Sequence, residues 1–264
     1  MNVNDTVQVS RVEKPDDILC AAMDVGEHIL RNGGEVRRVE DTIERICRAF
    51  GAEHVEVFTI TSLIIATLKM PNGERCQQMR RVFKTKNNMY MLEEMNAISR
   101  RLCAGELALC DLNAAIDRAK GRRPYPTWLM MLGAMALTSS FAVFFGGTLR
   151  DGLCAALATV PVFFVDRNAP RFVNQMLWTA VSSFIAGLLS MALWRLGLGQ
   201  NPDKIIIGAI MLLIPGLALS NSIRDMLIGD TLSGMMRLLH AVLLTLMIAS
   251  GFALAIFVMG GVAV

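Results

Sequence analysis

The sequence predicts a polytopic α-helical membrane protein, with about five transmembrane helices behind a small N-terminal cytosolic α+β domain. Two observations carry this expectation. Charge is divided unevenly: residues 1–123 hold 19 of the 26 Lys and Arg and 18 of the 23 acidic residues, leaving seven basic and five acidic side chains for 124–264. A soluble exterior of that size needs far more charge, whereas a bundle in hydrocarbon needs almost none. The same C-terminal stretch is also built of apolar runs approaching the ~20 residues that a helix needs to cross a hydrocarbon core about 30 Å thick. The expected domains are therefore 1–123, cytosolic, and 124–264, transmembrane.

The chain opens with MNVNDTVQVSRVEKPDD, which is polar and has no apolar core, so no secretory signal peptide is expected. From Asp16, apolar residues at Ile18, Ala21, Ala22, Val25, Ile29 and Leu30 make a helical stripe that stops at Gly33 and Gly34. A second helix follows, with Val36, Val39, Ile43, Ile46, Cys47 and Phe50 on one face and Gly51 at its C-cap. Residues 55–70 are rich in β-branched and aromatic residues, and Pro71, Asn72 and Gly73 supply a turn before a shorter polar strand. Helical spacing returns after Asn88, giving the order ααβββαα.

The outer face of the second helix supports two readings. Arg37 with Asp41, Asp41 with Arg45, and Glu44 with Arg48 are each four apart, the spacing of a solvated, ion-paired surface. Alternatively, Glu35, Arg38 and Glu40 form an acidic and basic site in the cytosolic domain.

Several chemistries lack their sequence signatures. The net charge of +3 is small, so nucleic acid is not an expected partner. None of the six lysines follows a glycine, which leaves no phosphate-cradling P-loop for ATP-driven work. Histidines 28, 54 and 240 share no metal-ligand spacing, and no Gly-x-Ser-x-Gly elbow is present. The six cysteines contain no Cys-x-x-Cys pair and read as buried thiols. No enzyme, metal site or cofactor is expected.

In the membrane half the expected spans are 127–147, 150–166, 172–194, 204–220 and 238–261. The run RAKGRRPYPTW holds the N-terminus on the cytosolic side, and five spans then leave the C-terminus outside. Ser182, Ala186 and Ser190, with Ser183 and Gly187, give the third span a small-residue face for close helix contact. The fourth span contains Pro215 and Gly216, which interrupt a helix at a depth where breaks line cavities. Beside that break are Asn221, Ser222, Arg224, Asp225 and Asp230, a candidate site for solute binding or proton coupling, since Arg can fork onto a carboxylate and Asp can cycle its charge. The competing reading is an amphipathic connector at the lipid interface. Thr148-Leu149-Arg150-Asp151-Gly152 after the first span and Ser222-Ile223-Arg224-Asp225-Met226 after the fourth form an echo of the kind an inverted repeat produces, with only Arg-Asp identical.

Taken together, NGGEVRRVEDTIERICRAFG, FGGTLRDGL and IPGLALSNSIRDMLIGDTLSGMMRL resemble the threonine/serine exporter family, and the likeness covers nearly the whole chain. In that family a cytosolic domain precedes one membrane bundle, and a second bundle is either fused or encoded as a separate small protein. The resemblance implies a subunit of an ion-gradient-driven secondary exporter in the bacterial plasma (inner) membrane. Its cargo would be a small polar solute, either a small amino acid such as threonine or serine or, in the split members, a dicarboxylate such as succinate. The expected partners are membrane lipid and a second small exporter subunit or another copy of the chain. The alternative is a regulatory or scaffold subunit whose cytosolic domain senses a ligand.

Overall fold

The computed structural model describes residues 14–83, 87–122, 125–168 and 174–260. It divides into two compact units, Met1–Arg122 with Ile223–Gly234, and Arg123–Ser222 with Met235–Val264. The segment 223–234 thus belongs with the N-terminal unit although the sequence places it deep in the apolar half.

The first unit begins with α1 (Pro15–Arg31) and α2 (Val36–Ala49). Proline at the start of α1 uses a position whose N–H has no helical partner. The helix ends where Gly33 takes φ +91°, and the Gly34 N–H closes onto the Ile29 carbonyl at 2.9 Å. A Cβ on Gly34 would lie 2.9 Å from that same carbonyl oxygen, so the turn requires glycine there. The predicted stripes of both helices are the buried ones, from Ile18 to Leu30 on α1 and from Val36 to Cys47 on α2, with Phe50 half-buried behind them.

The β-rich stretch is a hairpin and a third strand: β1 (His54–Ile60), β2 (Leu63–Lys69) and β3 (Arg75–Arg81), antiparallel in the order β1-β2-β3. Ile60 pairs with Leu63 across the tight turn, and Lys69 with Arg75. Alternation puts Ile64, Ala66 and Leu68 of β2 into the core while β3 stays amphipathic and polar. The helix α3 (Met89–Cys103) is capped by the Asn88 side chain, which accepts from the Met91 N–H at 3.1 Å; α4 (Leu112–Gly121) follows a short 3₁₀ turn. Both helices add to the same core through Met95, Ile98, Leu102 and Ile116. The cysteines are not uniformly buried thiols: Cys47 and Cys154 are buried, Cys20, Cys76 and Cys103 half-buried, and Cys110 exposed, because its short turn presents it to solvent.

The second unit contains α5 (Thr127–Phe144), α6 (Leu149–Arg167), α7 (Gln175–Arg195) and α8 (Pro202–Ile210). It also holds the first part of α9 (Gly216–Ile228) and most of α10 (Thr231–Val258). Among the described residues three helices are long and apolar enough to cross a membrane: α5 with 18 residues, α7 with 21 and α10 with 28. The protein is therefore a mostly helical membrane protein carrying a small three-stranded sheet. The second stretch expected to span is α6, which carries Arg150 and Asp151 in its first turn and Asp166 and Arg167 in its last. The fourth is not one helix: α8 ends at Ile210 and α9 starts at Gly216. Pro215 has no N–H to continue the ladder, and its carbonyl instead accepts from Leu219 at 3.0 Å to start α9.

Small residues set the helix spacing in this unit. On α7, Ser182, Ser183, Ala186, Gly187 and Ser190 are all buried. A Cβ on Gly187 would meet the Ala255 methyl at 2.6 Å, and one on Gly251 would meet the Ala180 carbonyl at 2.5 Å, so α7 and α10 touch backbone to backbone. A Cβ on Gly208 of α8 would lie 2.6 Å from the Thr138 carbonyl and 3.0 Å from the Ala155 methyl. The Thr138 and Thr159 hydroxyls, 2.9 Å apart, join α5 to α6.

Asp151 is fully buried and fully used. Its carboxylate accepts from the Thr148 N–H and hydroxyl, both at 2.8 Å, and from the backbone N–H groups of Gln200 and Asn201 and the Asn201 amide at 2.6–2.9 Å. Thr148 and Asp151 together form the capping box of α6. The Arg-Asp echo does not mark equivalent positions: Asp151 closes a helix N-terminus, whereas Asp225 lies inside α9, in its third turn.

Candidate functional site

Charged residues from α2, α3, β1 and the 223–234 segment meet on the outer face of α2. Glu35 occupies the N-cap position, and its side chain is only 16% exposed. Its Oε1 accepts a 2.7 Å hydrogen bond from the Arg224 guanidinium, across 189 positions of sequence, and the Arg38 guanidinium stands 3.9 Å away. One turn further along, the Glu40 carboxylate accepts from the Thr59 N–H at 2.8 Å, tying α2 to β1. Burial pushes the Glu40 carboxyl up to about 7; the Thr59 N–H opposes this, and the negative charges of Asp230 and Asp41 add to it.

Two concave surfaces share this helix. One, of about 430 Å³, is predominantly acidic, with Glu40, Asp41, Glu44, Glu56 and Asp230 facing a single arginine, Arg37. The other, of about 730 Å³, is lined from α2, α3 and α9 and holds five arginines against three acids. Thr42 and Ser99, both buried, also line it, and the Thr42 hydroxyl donates to the Arg38 carbonyl at 2.7 Å.

Residues that the sequence suggested as two separate sites therefore meet within one unit. Arg224 and Arg38 both pair with Glu35, while Asp230 faces Glu40. Asp225 is buried at 1% exposure, three residues after the buried Ser222, whose hydroxyl donates to the Leu219 carbonyl at 2.7 Å. Asn221 is half-buried and, with Ser222, Pro215 and Gly216, falls in the second unit. Of the three pairs expected on the α2 surface only Glu44–Arg48 forms, at 2.5 Å. Among the described residues no ion pair within 4.0 Å joins Asp41 to Arg37 or Arg45; the two arginines instead line the larger concavity. The sequence reading placed Arg37 and Arg45 on this face only as ion-pair partners of Asp41, and it missed Arg100 and Thr59, because neither their spacing nor their type announces a contact of α3 or β1 with α2. Asp151 was legible in part, through the Thr-x-x-Asp capping signature at 148–151.

A soluble-type α+β unit joined to a bundle of apolar helices, one of them interrupted and flanked by buried polar residues, has the construction of a membrane transporter component. The chain belongs to the threonine/serine exporter family, ThrE, which it matches over residues 21–259. It is 25% identical over 242 residues to a probable threonine/serine exporter of Mycobacterium tuberculosis, covering 90% of this chain and 46% of that protein. It is 26% identical over 238 residues to the probable succinate transporter subunit YjjP of Klebsiella aerogenes, covering 88% of this chain and 90% of the relative. A threonine/serine exporter of Corynebacterium glutamicum is 22% identical over 254 residues, 90% of this chain and 50% of its own length. The chain thus spans about half the length of the two exporters. No solved structure matches it.

Proposed function

We propose that the chain is one subunit of a secondary exporter, driven by an ion gradient, whose cargo is a small amino acid such as threonine or serine or a small dicarboxylate. The observation that carries this is the family match over 21–259, which takes in both the N-terminal unit and the membrane helices. Similarity to a relative named as a transporter subunit supports a chain that works with a second small membrane subunit or another copy. Transport is proposed in place of catalysis, in the plasma (inner) membrane of a bacterium.

In this reading α5, α6, α7, the broken α8–α9 pair and α10 make five crossings, with the N-terminus cytosolic and the C-terminus outside. The interruption between Ile210 and Gly216 and the polar run Asn221, Ser222, Arg224, Asp225 and Asp230 make the region for solute or proton handling. A regulatory role for the cytosolic unit is the second reading, favoured by the Arg224–Glu35 pair that ties it to the end of α9.

Solute flux tests the proposal. Vesicles containing the chain and a co-expressed small four- or five-span partner are loaded with labelled threonine, serine or succinate. Gradient-dependent efflux that requires both proteins, or the chain alone as a homo-oligomer, is the expected result. An absence of flux for all three solutes in both preparations overturns the exporter reading. Undiminished efflux by Arg224→Lys, which keeps the charge and loses the fork, removes Arg224 as a carboxylate clamp.

A further inference from the structure

We infer that the larger concavity of the N-terminal unit is a binding site for a small soluble anion carrying two or more negative charges, a di- or tricarboxylate or a phosphate, and that this anion competes with Glu35 for Arg224. The inference concerns a site in the cytosolic-type unit and does not rest on the chain being an exporter.

Three observations converge. Arginines reach the concavity from three separate segments: Arg37, Arg38 and Arg45 from α2, Arg100 from the last turn of α3, and Arg224 from α9. Clustering on one helix alone would be an ordinary solvated face, but convergence from stretches this far apart requires the tertiary fold. Secondly, the expected local neutralisation is absent: among the described residues Arg37, Arg45 and Arg100 make no ion pair within 4.0 Å, although Asp41 is four positions from both Arg37 and Arg45. Five arginines share this lining with three acids, and among the described residues Glu35 is the one of these acids that pairs within 4.0 Å, so the excess positive charge repels itself and costs free energy that a bound anion would return. Thirdly, the lining carries two more positive than negative charges, and the volume of about 730 Å³ lies within the range of about 300–1,000 Å³ typical of small-molecule sites. Guanidinium forks suit planar carboxylate or phosphate oxygens.

Arg224 gives the site a second property. It is 57% exposed on its side chain and already bonded to Glu35, so an incoming anion exchanges one carboxylate partner of Arg224 for another. Occupancy would then loosen the tie between the N-terminal unit's own α2 and the end of α9.

The test is equilibrium binding to the full chain in nanodiscs of zwitterionic lipid, by calorimetry at low salt, with succinate, citrate and inorganic phosphate as probes and propionate and threonine as controls. Saturable binding of at least one multivalent probe, at least tenfold tighter than either control, is expected. The double variant Arg45→Gln, Arg100→Gln should weaken it at least tenfold. Glu35→Gln should strengthen it about threefold, because Arg224 loses its competing partner. This gain cannot come from a misfolded protein, so it keeps the test decisive if the double variant proves unstable. The site is overturned if no multivalent probe saturates, if affinity is unchanged in the double variant while Glu35→Gln gives no gain, or if binding occurs only when anionic lipid is added, which assigns the arginines to a membrane surface. Failure here leaves the flux experiment untouched, since flux is read with a different protein preparation and a different signal.

Discussion

At the scale of single residues, the charged side chains divide by whether the fold supplies donors for them. Asp151 is buried but accepts five hydrogen bonds, so its charge is solvated by the protein itself. Glu40 has one backbone donor and faces two other carboxylates, and its carboxyl rises from 4.5 to about 7. Because the folded-state value lies above the unfolded one, the protonated form stabilises the unit. That contribution is complete below about pH 4.5 and is lost as pH rises through about 7. Allowing for partial exposure, Glu40→Gln should be about 1–2 kcal/mol more stable than the native chain at pH 8 and indistinguishable at pH 4. The glutamine can still accept from the Thr59 N–H. Thermal unfolding followed by the labelling of Cys47, read on its own peptide by mass spectrometry, checks this, since Cys47 is buried in the same core and Cys110 is exposed in the folded state. Equal stability of the two proteins at pH 8 would dismiss the role given to burial.

Among elements, the contacts that matter are made by what side chains lack. The α7–α10 approach depends on Gly187 and Gly251, and on Gly251 a methyl would press on the backbone of Ala180 and Phe184, at 2.5 and 2.9 Å. Gly251→Ala should therefore cost about 1–3 kcal/mol, seen as a lower melting temperature in detergent. Gly216, at the start of α9, has no atom within 4 Å of an added Cβ, and Gly216→Ala should stay within about 0.5 kcal/mol. A reversal of that order would mean that the helix break, and not the α7–α10 seam, limits stability. The sequence showed the small-residue spacing on α7, because period and residue size are local properties. It did not show the partner, which comes from α10 more than sixty residues away.

For the molecule as a whole, the notable fact is that residues 223–234 belong to the compact unit formed by the N-terminal residues. Arg224 is tied to Glu35, and Ile228 and Asp230 line concavities built on α2. A chain lacking residues 1–122 removes every one of those neighbours. Its 223–237 stretch should be cut by trypsin at Arg224 at least about tenfold faster than in the full chain, because cleavage follows the population of the locally open state. Mass spectrometry of timed digests in detergent measures this; equal rates would show that the segment is held by other means.

By itself the sequence determined the class of protein, the apolar character of residues 124–264, the buried faces of α1 and α2, and the order of the helices and strands before residue 123, since each follows from local periodicity, composition and charge density. The sequence also marked the break at Pro215 and Gly216 that separates α8 from α9. Only the tertiary structure decided that Asp41 pairs with neither Arg37 nor Arg45, and that Glu35 and Arg224 are partners. The reason is physical: helix periodicity is fixed by neighbours within a turn, whereas a charge chooses among all partners the fold brings within a few ångströms, and here the chosen partner of Glu35 lies 189 residues downstream.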